Sequence, residues 1–461
     1  MTATALPHAR WNGWLAAIAL GTAILLGGGG SPAPLVEGVL QVLLAAIALA
    51  WLLTLDIPFV QAVPRGARAI AVLLVIVPVV QLVPLPPALW QALPGRTLAA
   101  EALDLVGQSE SWRSWSLAPD RTLAALLATL PAAAMVLMTA ALGHSGRIRL
   151  LLVAVAGALL TLLVGAAQLS GGPGSPLRFY EPGSFFLDGF QANHNSAADV
   201  LLIGLVAACC AVRELALTGR LPNRRGLVLG LTGGLALVIG LGVVLTSSRA
   251  GIALLPVALG AGVLLLQPWL PLTPRSMLVG SAVTAAIGVA AVLAIPHNDA
   301  LARVVARFGI APDIRPELWR DSLFTARQLF PFGAGMGDFV PAMLANERLA
   351  AVRELVPNRA HNEVLELAVE AGIFGLAAWA AIAAILIKAA AVALRQRLPG
   401  AKGPAIFGGS VLLILALHSQ VDYPFRSMAL AMLAAACAGM LLPQRGGVSR
   451  PGPSDSLEEV K

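Results

Sequence analysis

RLLLVAVAGALLTLLVGAAQL, residues 149–169, decides the fold. After Arg149 come twenty residues without a charge. A helix of about 20 residues crosses the roughly 30 Å hydrocarbon core of a bilayer. Comparable runs recur from end to end of the 461-residue chain, which is 58% hydrophobic and 12% charged with a mean hydropathy of +0.82. A soluble domain carries about 25% charge, so the solvent for most of this chain is lipid. The first run, Trp14 to Leu26, follows one arginine and lacks a small-residue cleavage site, so it reads as a retained span. Cys209, Cys210 and Cys437 lie inside apolar runs, with no second pair for a disulfide framework or metal site. The net charge of +7 would suggest nucleic acid in a soluble protein; here loops facing the cytoplasm and anionic lipid account for it.

About twelve spans are predicted, near 13–30, 35–55, 69–85, 121–142, 149–169, 194–213, 227–246, 251–268, 276–296, 363–392, 404–420 and 427–443. The expected fold class is all-α, a polytopic membrane helical bundle. With the N-terminus inside, the inner segments hold sixteen Arg and Lys, clustered at Arg213–Arg225 and Lys388–Lys402. The short outer loops hold six, Arg96, Arg113, Arg121, Arg178, Arg249 and Arg426. Cytoplasmic loops retain positive charge, so both termini are expected in the cytoplasm. The chain then divides into a bundle over 1–296 with an outer loop at 86–120, a long outer loop over 297–362, further spans over 363–443 and a disordered tail over 444–461. Trp90, Trp112 and Trp115 mark the first loop. In the second, Pro316 opens an amphipathic helix with Trp319, Leu323 and Phe324 on one face and Arg320 and Arg327 elsewhere. A glycine-rich turn over Phe332–Asp338 follows, then a short helix to about Leu355.

Several chemistries are excluded by the residues themselves. No acidic-x-acidic pair of the kind that holds a metal-nucleotide-sugar is present. Gly333, Gly335 and Gly337 fit a tight turn better than a phosphate cradle. His361 and His418 have no second histidine at ligand spacing, so neither a metal nor another cofactor is expected. Polar residues gather instead at the outer ends of helices. Asn193 and Asn195 open the sixth span, with Asp199 one turn below on the same face. A carboxylate within a span costs about 2.5–3.5 kcal/mol on insertion scales, so it is paired, faces a cavity, or works. Ser248 is placed to cap the eighth span, Gly251 permits close packing, and Arg249 stands at the boundary, able to grip phosphate with two donors or to snorkel to headgroups. His361 begins the tenth span after the arginine-rich loop. Glu366 and Glu370, i,i+4 on one face, form a polar seam towards the bundle interior.

Four stretches together resemble the O-antigen ligase and polymerase family. They are Phe185–Asn195, the Ser248-Arg249-Ala-Gly251 turn, Pro331–Phe339 and His361-Asn-Glu-Val-Leu-Glu-Leu-Ala-Val-Glu-Ala-Gly372. The resemblance covers roughly 185–375. It implies an inner-membrane enzyme that transfers a glycan from undecaprenyl diphosphate to an acceptor hydroxyl on the periplasmic face, without metal. His361 would orient or deprotonate the acceptor. Arg249, with one or more of Arg303, Arg307, Arg315 and Arg320, would stabilise the leaving diphosphate. Asn193, Asn195, Asp199, Glu366 and Glu370 are candidates to hold glycan or to organise the site. The large first outer loop and the motif order favour a polymerase of O-antigen, capsule or exopolysaccharide repeats over a ligase. Implied partners are the lipid-linked glycan, membrane lipids, and chain-length regulator or flippase proteins, with no nucleic acid. The different-class alternative is a transporter of bicarbonate or another small solute.

Overall fold

The computed structural model describes residues 7–29, 34–55, 63–180, 184–270, 314–348, 357–395 and 399–442, with Thr273 and Val352. The expected span at 276–296, Arg303 and Arg307, the end of the second loop helix and the tail lie outside the described residues. The described chain is helical, with one two-stranded ribbon. Helices α1 (Pro7–Leu26), α2 (Pro34–Leu53) and α3 (Arg65–Gln81) lead into the first loop. There strands β1 (Pro84–Leu85) and β2 (Arg113–Ser114) pair antiparallel around α4 (Pro87–Trp90) and α5 (Thr97–Leu105). Six further bundle helices follow, interrupted by two in the second loop: α6 (Pro119–Ala141), α7 (His144–Ser170), α8 (His194–Leu217), α9 (Arg225–Leu245), α10 (Arg249–Leu266), the loop helices α11 (Arg315–Leu329) and α12 (Phe339–Asn346), then α13 (Glu363–Arg395). After them come α14 (Pro399–His418), a 3-10 turn (Pro424–Arg426) and α15 (Met428–Leu441).

The expected spans other than 276–296 fall on helices, but length alone does not reach the count of twelve among the described residues. Among the described residues seven helices are long and apolar enough to cross a membrane: Leu35–Leu53 within α2, and α6, α7, α8, α9, α10 and α13. Trp11–Leu26, Lys402–His418 and α15 are apolar but shorter. The 14 residues of α15 rise only about 21 Å, less than the hydrocarbon thickness.

Burial and composition explain the arrangement. Helix α8 is buried over nearly its whole length, packed by α7, α9, α10 and α14. A helix apolar all round belongs at the centre of a bundle. On the periphery the exposed side chains are also apolar, with Leu35 80% and Ile387 70% exposed. Exposed leucine, valine and isoleucine recur on α1, α2, α3, α7 and α9. Apolar surface of this extent is not stable against water, so lipid covers it.

Helix α13 is broken. Gly372 has φ +52° and ψ −141° inside it, and the loop fills the break. Ala334 N donates to Val369 O (2.9 Å), Gly335 N to Glu370 O (2.8 Å), and Ile373 N to Pro331 O (2.9 Å). A Cβ on Gly372 would overlap Pro331 O. The glycines at 333, 335 and 337 all have positive φ, as the tight turn requires. From the other side Gln81 clamps the turn, donating to Glu370 O (3.0 Å) and accepting from Met336 N (2.8 Å).

The structure orients the loop helix. Helix α11 buries Leu318, Asp321, Ser322, Thr325, Ala326 and Leu329, while Leu323 and Phe324 face outwards. It docks on α13 and α12, against which small and hydroxyl-bearing residues pack. Trp319 is half-buried and ties the helix down by donating to Ala360 O (3.1 Å).

Candidate active site

The sequence places Asn193 immediately before α8, and it serves as the N-cap: its Oδ1 accepts from Asn195 N (2.8 Å). This satisfies one of the amides that the first helical turn leaves open. Ser248 caps α10 in the same way, accepting from Gly251 N (3.0 Å). Gly251 lies so close to Ala198 that a side chain there would press on α8. The two helix starts are therefore adjacent, and Ser248 Oγ donates to Asn195 Oδ1 (2.7 Å).

This pair of caps presents two amide donors to Asp422, in the short turn between α14 and α15. Asn195 Nδ2 donates to Asp422 Oδ2 (2.6 Å) and Asn193 Nδ2 to the same oxygen (3.4 Å). The other oxygen, Oδ1, accepts from Tyr423 N (3.0 Å) and stands 3.3 Å from His361 Nδ1. Burial alone would raise the Asp422 carboxyl. The His361 ring, His418 and Asn195 outweigh burial and hold it below the ordinary carboxylate range. Tyr423 packs edge-on against the His361 ring, with centroids 4.9 Å apart.

His361 does not cap α13. Asn362 does, accepting from Leu365 N (3.0 Å) and donating to Gln420 O (2.9 Å). His361 stands outside the helix with φ +48°, a backbone strained for any residue with a Cβ. Its ring is thereby turned to Asp422 and remains partly exposed.

Below it lies the seam of glutamates. Glu363, Glu366 and Glu370 are buried and converge on Arg426, at 3.3, 3.3 and 2.8 Å. Arg359 Nη1 donates to Glu366 Oε1 (2.9 Å), and Ala360 N to Glu366 Oε2 (2.9 Å). Asp199 is also paired, with His418. A cavity of about 940 Å³ opens beside this seam. Its walls are the apolar faces of α2, α3, α6, α13, α14 and α15. Charge is confined to one end, with Arg121, Arg359, Arg426, Glu37 and Glu363, joined by Tyr180.

Of the residues expected from sequence, the structure joins Asn193, Asn195 and His361 around Asp422, with Asp199 behind, and Glu366 and Glu370 around Arg426. Arg249 is half-buried as the first residue of α10, directly after Ser248. Arg320 is exposed and Arg315 half-buried on α11. None of Arg249, Arg315 and Arg320 lines the cavity; Arg121 and Arg359 do. Sequence reasoning missed Asp422, Tyr423, Arg426 and Arg359, and set His418 aside as a lone histidine. The available signal was the polar cluster Asp422-Tyr-Pro-Phe-Arg426 in a very short connection between apolar helices.

Three of the resemblance's stretches, the Ser248–Gly251 turn, Pro331–Phe339 and His361–Gly372, thus build one side of this site. Residues 234–380 match the O-antigen ligase family model. The resemblance to the O-antigen ligase and polymerase family therefore holds over that stretch, which contains Arg249, His361 and the glutamate seam. Members of the O-antigen ligase family are membrane glycosyltransferase-like enzymes. Asn193, Asn195, Asp199, His418, Asp422 and Arg426 reach the site from outside the matched residues. No curated protein matches the chain.

Proposed function

We propose that this chain is a metal-independent polymerase acting on undecaprenyl-diphosphate-linked oligosaccharide repeats, with its site on the periplasmic side of the bacterial inner membrane. The observation that carries the reading is the His361–Asp422 contact beside an apolar cavity with a charged end. With Nδ1 turned to a carboxylate, that nitrogen keeps the proton and Nε2 is left as the base. The acceptor hydroxyl gives its proton to Nε2 as its oxygen attacks the anomeric carbon. The carbon–oxygen bond to diphosphate breaks, and the electron pair leaves on the diphosphate. That developing charge needs fixed cations. Arg121 and Arg359 at the cavity, with Arg249 near the paired caps, are the candidates; Arg426 is already held by three carboxylates. The apolar walls suit a polyprenyl chain.

The positive charge of the 213–225 and 388–402 connections supports a periplasmic site. Clustering of the embedded Asn193, Asn195, Asp199 and Glu363–Glu370 at one end of the bundle favours surface chemistry over a transport path, which needs polar residues along its depth. The test is transfer by purified protein from a lipid-linked repeat unit, read as polymer length on a gel. Wild-type polymer from both His361→Asn and Arg249→Lys would reject the transferase reading, because asparagine cannot take the proton and an ammonium cannot reproduce a two-donor grip. A single block attached to lipid A-core in place of a ladder would make it a ligase. Loss of product with EDTA, restored by magnesium, would reject metal independence.

A further inference from the structure

The Asp199–His418 pair lies outside the cavity, outside the matched residues, and has no part in the reaction just proposed. Its geometry nevertheless ties it to the base. His418 Nδ1 stands 2.7 and 2.8 Å from the two oxygens of Asp199, and both side chains are 1% exposed. The opposite nitrogen, Nε2, faces Asp422 Oδ2 at 4.0 Å, one helical turn on. One imidazole is thus flanked by two buried carboxylates. If the ring were neutral with its proton on Nδ1, the Nε2 lone pair would face a carboxylate and two buried anions would lack a cation, a costly arrangement. An imidazolium satisfies both sides. Among the described residues, Arg315 also reaches this set, its effect on the ring opposing that of the carboxylates, and His361 lies beyond Asp422.

We propose that Asp199 and His418 are positioning residues for the transfer reaction: Asp199 holds His418 as a cation, and that cation fixes Asp422 from behind and limits how tightly Asp422 retains the proton on His361. Asp422 thereby aims the His361 ring. The inference rests on His361 acting as the base, and the experiment separates the two.

Transfer of a lipid-linked repeat unit is measured with the full-length protein between pH 5 and 9, with His361→Asn as control. Wild-type activity rises with pH along a limb that belongs to the coupled Asp199–His418–Asp422–His361 set. His418→Gln and Asp199→Asn each remove the cation behind Asp422 and are expected to move that limb up by about one pH unit, roughly a tenfold loss below it. The double variant should move it no further, and Asp199→Glu should restore it. A pair that only holds helices together would lower the plateau and leave the limb in place, and that result overturns the inference. Failure of both single variants to insert overturns it equally. If one inserts, its limb decides. An active His361→Asn would instead reject His361 as the base.

Discussion

The left-handed backbone of His361 costs about 1–3 kcal/mol, and the ring contacts to Asp422 and Tyr423 are what it secures. His361→Gly should therefore raise the melting temperature of the purified protein, by roughly 1 kcal/mol of stability, while abolishing transfer. A destabilised His361→Gly protein would show that the lost ring contacts outweigh the strain relieved. Asp422→Asn should leave the protein inserted and lower transfer by roughly two to four decades, because an amide no longer fixes which ring nitrogen carries the proton. Near-normal product formation by that variant would remove Asp422 from the site. The caps at Asn193 and Ser248 were legible in the sequence because an N-cap is a local matter, settled within three residues. Asp422 was not. Its amide partner Asn195 is 227 positions away, and the turn that holds it had been weighed only for Arg426, as one outer charge among six.

Among elements, the broken helix α13 and the second loop depend on one another. Gly372→Ala places a Cβ against Pro331 O and forces a positive φ on a residue that resists it. Loss of several kcal/mol, or failure to accumulate in the membrane, is expected, and expression followed by thermal melting reports it. Asp338 joins the loops, accepting from Ser116 Oγ and Ala118 N (both 2.9 Å), and burial raises its carboxyl to about 7. A carboxyl raised on folding stabilises most below its unfolded value, and the contribution fades as pH climbs through about 7. The melting temperature of the wild type, relative to Asp338→Asn, should fall between pH 4 and 7; a constant difference would contradict this. Hydrophobic runs revealed these helices but not the break, since Gly372 reads as one more small residue in an apolar stretch. The buried side of α11 was equally illegible. The sequence grouped Trp319, Leu323 and Phe324 on one face without saying where that face points, and the surface beneath the helix accepts Ser322, Thr325 and Ala326.

For the whole molecule, the charge count predicts which face meets which compartment. Cysteines introduced at 145, 222 and 400 should be labelled from the cytoplasm, and those at 105, 180 and 340 from the periplasm. Inversion at two or more positions would move the site to the wrong side for a lipid-linked donor. Composition was enough to see a helical membrane protein. It could not supply the number of crossings, because α15 and its shorter neighbours are apolar without being long. The cavity was equally hidden: helices distant in sequence form its walls, and no spacing within one segment encodes a space between several.

The amides of Ala334, Gly335 and Ile373 complete the ladder that Gly372 interrupts, so the connecting segment behaves as backbone of the long helix. In deuterated buffer those three sites should exchange at the slow rate of the bundle core, although two of them belong to a connection between helices. Connections usually tolerate a residue more or less. Here inserting a single residue between Pro331 and Gly335 would unpair three carbonyls or amides at once, so length variation in this segment should be as poorly tolerated as it is in the middle of a helix.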